Sequence, residues 1–340
     1  MALAGPSTLP FRRPAAADPA VRFAVGMVAL VAAAAVLAGW FPVGFSIAIV
    51  FLFAGPHNWL EARYFMTRMP ARWGRLAGFF SLGITGVVGL TLGMVALPAV
   101  AAAWGDGLET WRVLLAIWNS TLVLWAAALA AVRRRQNPRR GWPWLWPVAF
   151  GLITLAWLWP VGWGIALVYL HPLVALVFLD AEIGRRRPDL RAAYRACLVA
   201  VPAMLVLLAW KLALAPDLAG ADVLTAQITR HAGAGVVPHV STHLLVAAHT
   251  FLEMLHYGVW CAALPLVALG TPPWRLEGVP LARRSLAWRR GLTTVMLVGG
   301  LVVATLWAGF LVDYPLTRSL YFTVALMHVL AEVPFLVREA

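Results

Sequence analysis

Charged residues are scarce in this chain of 340 residues, and almost all of the positive ones are arginine. Asp, Glu, Lys and Arg together make up 12% of the chain and hydrophobic residues 62%, which excludes an ordinary water-soluble protein of this length. Lys211 is the single lysine, and the two cysteines, Cys197 and Cys261, lie in apolar segments without metal-type spacing. The composition therefore predicts a polytopic membrane protein, with residues 1–340 forming a single integral membrane domain.

Apolar runs of about 17 to 25 residues divide the chain into ten candidate spans. They cover residues 22–40, 43–60, 77–103, 111–132, 143–160, 161–181, 194–215, 240–268, 290–312 and 317–337. Only the segment Trp159-Pro-Val-Gly-Trp163 separates the fifth run from the sixth, so these two could also form one broken element with a re-entrant turn. The pattern predicts an all-α transmembrane helical bundle of about ten spans.

The formal net charge of +13 is spread over short loops, which argues for membrane orientation and against a nucleic-acid partner. Arginines cluster in alternate loops, whereas the connections between them are poor in arginine and carry Asp106, Asp217 and Asp313. Because basic loops remain in the cytoplasm, we expect both termini there, with residues 1–20 as a flexible cytoplasmic N-terminus. We expect the protein in a bacterial inner membrane.

The longest arginine-poor connection runs from about residue 216 to residue 239. Its glycines are compatible with either a lid or an ordinary loop. Three histidines in or just after it, His231, His239 and His243, are predicted to be solvated or interfacial.

Three predicted spans carry a histidine followed one helical turn later by a glutamate. The pairs are His57/Glu61, His249/Glu253 and His328/Glu332. His171 lies in a fourth span, and His256 lies on the same helix face as His249. All of these histidines fall in even-numbered spans, which run in one direction across the membrane.

The rise of 1.5 Å per residue gives the depth of each histidine from the start of its span. His171, His249 and His328 then lie about 15 Å deep and His57 about 20 Å deep. The sequence thus predicts four histidines in one layer near the middle of the bilayer, with the glutamates in a second layer one turn further on. His256 falls near the second layer, and its role stays open.

Ionisable residues inside a membrane indicate a functional site, with structural pairing between helices as the alternative. Neutral imidazoles suit a first-row transition metal, and imidazoles with carboxylates suit iron in particular. We therefore predict a mononuclear Fe²⁺ held by four histidines, with the glutamates accepting hydrogen bonds from the ligands. The candidate metal ligands are His57, His171, His249, His256 and His328, and the supporting or alternative ligands are Glu61, Glu253 and Glu332. Two further assignments stay open, a two-metal carboxylate site and a haem between facing imidazoles.

The segment Ala54-Gly-Pro-His57-Asn-Trp-Leu-Glu61 resembles the Pro-His-Gly-x-x-Asp segment of the Brp/Blh family, the integral-membrane β-carotene 15,15′-dioxygenases that make retinal. Ala325-Leu-Met-His328-Val-Leu is similar to the last histidine-bearing helix of that family. The stretch from His249 to His256 is similar to the paired histidines on a late helix of the same family. In the first segment Asn58 replaces glycine and Glu61 replaces aspartate. The resemblance implies an iron-dependent oxygenase with histidine ligands facing a hydrophobic tunnel.

These observations predict a membrane enzyme, a metal-dependent, dioxygenase-like oxidoreductase that oxidises a carotenoid- or isoprenoid-like substrate. Its expected partners are the lipid bilayer, the hydrophobic substrate and O2. The substrate and O2 are expected to reach the site through the hydrocarbon of the bilayer. Three rival functions use the same residues: a dinuclear-metal desaturase or hydroxylase, a cation or proton transporter, and a haem-binding electron carrier.

Overall fold

The computed structural model describes residues 18–105, 107–136, 142–218, 222–269 and 275–339. Asp106, most of the predicted flexible segment 1–20 and parts of two basic loops lie outside these ranges. Within them, the regular structure is entirely helical, which confirms the predicted all-α fold. The helices are α1 Pro19–Trp40, α2 Pro42–Arg68, α3 Ala77–Trp104, α4 Leu108–Gln136, α5 Leu145–Leu158, α6 Pro160–Arg186, α7 Arg191–Cys197, α8 Ala200–Leu212, α9 Val223–His231, α10 Thr242–Gly258, α11 Leu286–Val312 and α12 Tyr314–Glu339.

Nine helical segments in the described ranges are long and apolar enough to cross a membrane, with α7 and α8 together forming one of them. The predicted fifth span corresponds to α5, whose 14 residues extend only about 21 Å. That length is shorter than the hydrocarbon core of a bilayer, about 30 Å. The predicted polytopic helical bundle is confirmed, except that the fifth predicted span is a short apolar helix. The cytoplasmic location of the two termini stays a prediction.

Proline positions explain how such closely spaced helices begin. α1 and α2 are separated only by Phe41, and α5 and α6 only by Trp159, and in both cases the following helix starts with proline. Proline fits the first helical position because the N–H that it lacks would have no partner there. The fifth and sixth predicted spans are therefore two helices joined by a single residue.

Helix α10 is the central helix of the bundle. In its most apolar window 61% of the residues are buried, compared with 11–50% in the other eight candidate spans. It packs against α1, α2, α6 and α8. After Gly258 the helix continues as wider π-type turns over Val259–Ala263 and Pro265–Leu269, a geometry that is concentrated near functional sites.

The C-terminal ends of α2, α6 and α12 meet in one polar cluster. Arg68 at the end of α2 pairs with Glu182 of α6, and Arg185 of α6 pairs with Glu339 at the end of α12. Arg338 of α12 donates to the carbonyl of Arg68 over 2.5 Å. These three helices therefore run in the same direction, as the sequence predicted.

Glu182 is the centre of that cluster and is fully buried. Its Oε1 accepts from the Tyr64 hydroxyl over 2.8 Å and from Arg185 over 2.7 Å, and its Oε2 lies 3.4 Å from Arg186 Nε. With Arg68 included, one carboxylate holds three guanidinium groups from two helices. A buried charge in such a network is costly to leave without its partner.

Helices α3 and α4 approach closely at Gly86. A Cβ atom at this position would lie 1.8 Å from Nε1 of Trp125, whose indole N–H donates to the Leu82 carbonyl over 2.9 Å. We expect Gly86→Ala to displace this indole and to destabilise the protein by about 1–3 kcal/mol. Thermal unfolding in detergent should show a lower Tm.

The matched control is Gly89→Ala on the same helix, because nothing lies within 4 Å of a Cβ atom at that position. Its Tm should equal or exceed that of the native protein, since alanine is a better helix former than glycine. Equal Tm values for the two variants would contradict the close approach of α3 and α4.

Candidate metal centre

Four buried or half-buried histidines from four helices converge in the middle of the bundle. They are His57 of α2, His171 of α6, His256 of α10 and His328 of α12. Their ring centroids are 4.6 Å apart for His171 and His256, 5.1 Å for His57 and His328, and 6.1 Å for His256 and His328. Three of these residues were predicted to share one layer, and His256 takes the place that the sequence assigned to His249.

The positions at which the helices begin explain this exchange. His57 lies 15 residues after the start of α2, and His256 and His328 each lie 14 residues after the start of their helices, so all three are about 21–23 Å along. His171 lies 11 residues along α6, or about 17 Å. His249 lies only seven residues along α10, or about 10 Å, and is therefore too near the N-terminal end.

The His57 ring has a defined orientation. Its Nδ1 lies 2.9 Å from the carbonyl oxygen of Phe53, one turn earlier on the same helix. Because a carbonyl only accepts, Nδ1 carries the proton and Nε2 keeps its lone pair. Nε2 is buried and has no hydrogen-bond partner at normal geometry among the described residues, so it is free to bind a cation.

A first group of possible ligands combines three histidines with one glutamate. His57, Glu61, His256 and His328 each offer one ligand atom, and these four atoms all lie within 4.8 Å of one another. In the described structure, both carboxylate oxygens of Glu61 and both ring nitrogens of His256 are buried without a hydrogen-bond partner. Buried polar atoms are rarely left in this state, and a bound cation would satisfy one nitrogen of His256 and a carboxylate oxygen of Glu61.

A second group adjoins the first and shares His256 with it. Ligand atoms of His171, His256 and Glu332 also lie within 4.8 Å of one another. Nδ1 of His171 is 3.0 Å from Oε2 of Glu332, and its Nε2 is 3.3 Å from Nε2 of His328. The arrangement accommodates one metal ion with Glu332 orienting a histidine ligand, or two metal ions with glutamates as ligands.

The remaining predicted pair, His249 and Glu253, lies outside both groups. Nδ1 of His249 is 3.8 Å from Oε2 of Glu253, and the Tyr257 hydroxyl donates to Oε1 of Glu253 over 2.8 Å. On its other side the His249 ring is 5.0 Å from the ring of His231. The two members of this predicted motif thus belong to a separate polar cluster.

His231 and Arg318 are the parts of this cluster that sequence reasoning missed. His231 ends the short helix α9 and packs against His249 instead of being solvated, and burial with His249 and Arg318 nearby lowers its pKa well below the ordinary value. Arg318 is 4% exposed, lies 4.6 Å over the Phe322 ring and interacts electrostatically with Glu253. An arginine at the arginine-poor end of a predicted span was the signal that could have identified it.

Two neighbours of the histidines also contribute polar groups. Tyr257 follows His256 in the chain, and its ring lies 4.6 Å from the ring of His57. Asn58 follows His57, and its amide nitrogen lies 3.5 Å from the Tyr321 hydroxyl oxygen. In the sequence, the only indication that Tyr257 and Asn58 belong to the site is that each directly follows one of the candidate histidines.

Both polar clusters open on one cavity of about 290 Å³. Its α6 wall runs from Pro160 to Pro172, 12 residues or about 18 Å. The four converging histidines lie on its walls, and so do His231, His249 and Glu253. Apart from these groups the walls are mainly apolar, with contributions from Met94, Leu115, Trp118, Leu167, Val168 and Leu326. Sites for small molecules have this character, apolar walls with a few polar groups.

Comparisons of this chain with protein-family models, with curated proteins and with solved structures find no match. The resemblance to the Brp/Blh family therefore stays a prediction. What the described residues show is a membrane-type helical protein with a buried group of histidines and glutamates that could hold a metal ion.

Proposed function

We propose that this protein is a membrane-embedded non-haem iron oxygenase that acts on a lipophilic, carotenoid- or isoprenoid-like substrate. The observation that carries the proposal is the position of four histidines on the wall of an apolar cavity within the bundle, with Glu61 and Glu332 within ligand distance of them. A site at this depth is accessible to molecules that dissolve in hydrocarbon, including O2.

The donor set fits iron. His57, His256 and His328 would hold the ion together with Glu61, which makes three imidazoles and one carboxylate, the mixture that non-haem iron prefers. His171 lies close enough to complete or adjust the site. When bound, iron would supply the redox chemistry with O2 that the side chains of this protein lack.

The other residues position the ligands and the substrate. The Phe53 carbonyl fixes the His57 ring, and Glu332 holds His171 through its second ring nitrogen, which maintains the direction of the ligand lone pairs. The apolar walls exclude water and align a long hydrocarbon chain beside the cluster.

Elemental analysis and an absorption spectrum of the purified protein test the proposal directly. We expect about one iron per chain, no intense Soret band, and O2-dependent oxidation of a carotenoid or isoprenoid supplied in detergent. Protein purified from iron-replete cells that binds no transition metal would contradict the proposal. An intense Soret band would assign the histidines to haem instead.

A two-metal desaturase or hydroxylase is the second candidate, because the two ligand groups lie side by side and share His256. The same elemental analysis separates the candidates, since this one requires about two metal ions per chain. Glu332→Gln is a useful companion variant: it should remove one of two ions in the dinuclear case, and leave the single ion bound in the mononuclear case.

A further inference from the structure

We infer that the cavity contains a second polar subsite, formed by His231, His249 and Glu253, that binds the hydroxyl group of an isoprenoid alcohol. This inference rests on the proposed function for the identity of the reaction, but the binding that it describes does not require the metal. It makes the substrate an amphiphile with a hydroxyl end instead of a plain hydrocarbon.

The subsite offers unused hydrogen-bonding capacity to the cavity. His249 is 6% exposed and Glu253 is 7% exposed, and both line the cavity with His231. Oε2 of Glu253 is buried and has no hydrogen-bond partner at normal geometry within the described ranges. The two imidazoles contact each other edge to face, with ring centroids 5.0 Å apart.

The chemistry of these groups selects a hydroxyl. A neutral imidazole has one donor and one acceptor nitrogen, and a carboxylate oxygen only accepts. A hydroxyl group donates one hydrogen bond and accepts others, so it can donate to Glu253 and accept from a histidine at the same time. A carbonyl group could not satisfy Glu253, because it has no hydrogen to donate.

The charge balance argues against a second metal ion at this end. Arg318 interacts electrostatically with Glu253, His231 and His249, and its guanidinium is buried against the ring of Phe322. A fixed positive charge at this position compensates Glu253 and disfavours a further cation. A neutral polar ligand has no such conflict.

The position of the subsite gives the orientation of the ligand. His249 precedes His256 by seven residues on α10, which places the subsite about 10 Å from the four converging histidines, toward the N-terminal ends of α6 and α10. His231 belongs to α9, which lies outside the candidate spans. An isoprenoid alcohol with its hydroxyl at this end would extend its apolar chain along α6 to the metal centre, with the reacting carbon about 10 Å from the hydroxyl.

Equilibrium binding of two matched probes tests the inference. Geranylgeraniol and the same hydrocarbon without the hydroxyl group are compared, in detergent, on the complete protein. Because buried hydrogen bonds distinguish the two ligands, we expect the native protein to bind the alcohol at least about tenfold more tightly. His249→Phe should reduce this preference to near unity and leave the metal content unchanged, and Glu253→Gln should weaken it.

His243→Phe is the matched control, because His243 bonds to the Gly39 carbonyl over 3.0 Å and does not line the cavity. It should keep the full preference for the alcohol. Equal affinity of the native protein for both probes would overturn the inference, and so would loss of the metal from His249→Phe. A native protein without metal that still prefers the alcohol would overturn the proposed oxygenase function but support the subsite.

Discussion

His256→Ala should purify without bound metal, whereas His249→Ala should retain it. His256 contributes a ligand atom to both groups of possible ligands, so its loss removes a ligand whether the site holds one metal ion or two. His249 lies on the same helix but outside both groups. Loss of a residue that only hydrogen-bonds to a metal ligand weakens metal binding by about 10- to 100-fold. Loss of a ligand itself should therefore reduce the metal affinity by more than about 100-fold.

Metal content after purification and competition with a chelator measure this difference. The two variants are well matched, because His256 is 2% exposed and His249 is 6% exposed, and both substitutions leave a similar space in the core. Metal retained by His256→Ala and lost from His249→Ala would reinstate the assignment made from the sequence. Metal lost from both variants at unchanged Tm would place His249 among the ligands.

Glu182→Ala should be among the most destabilising single substitutions in this protein. The change removes the buried carboxylate that Arg68, Arg185 and Arg186 share, although these side chains are themselves 23%, 35% and 50% exposed. It also leaves the buried Tyr64 hydroxyl without its acceptor. A buried donor left without its acceptor costs about 1–3 kcal/mol, and loss of a hydrogen bond to a charged group about 1.5–3 kcal/mol. Thermal unfolding in detergent should show a large decrease in Tm, together with lower yield of folded protein.

The control for this variant is Asp189→Ala. Asp189 forms an ion pair with Arg187 over 2.8 Å, but both side chains are exposed, with relative exposures of 57% and 46%. Such pairs contribute little because water screens them, so the Tm should stay the same. If Glu182→Ala and Asp189→Ala unfolded at the same temperature, the cluster at the ends of α2, α6 and α12 would not stabilise the bundle.

Apolar runs were sufficient to predict the helices, because a membrane-type chain satisfies its backbone hydrogen bonds within each helix. They were also sufficient for the convergence of His57, His171 and His328, since alternate spans share a direction and depth follows from counting residues. The predicted depths of His249 and His256 were wrong because residues were counted from the start of each span, and hydropathy locates helix ends poorly. Ser241 caps α10, which begins two residues after the predicted start of its span, and α12 begins three residues before the predicted start of its own. Together these shifts change the relative depth of His249 and His328 by about 7.5 Å.

Contacts between helices were the part that the sequence could not specify. Glu332 follows His328 by one turn, yet its carboxylate lies against His171 of another helix, because packing decides which neighbour a side chain meets. His231 was assigned to a loop surface, since a nine-residue helix with a polar sequence has no hydropathy signal. Only the tertiary arrangement shows that α9 brings this residue to the cavity.

The common direction of α2, α6 and α12 also has an electrostatic consequence. Each helix carries the equivalent of about half a negative charge at its C-terminal end, so three parallel ends bring together about 1.5 negative charges. Antiparallel neighbours would cancel these dipoles, but parallel helices cannot. The guanidinium groups of Arg68, Arg185 and Arg338 lie at those ends and oppose the mutual repulsion. The arginine-rich end thus allows the C-terminal ends of three histidine-bearing helices to meet.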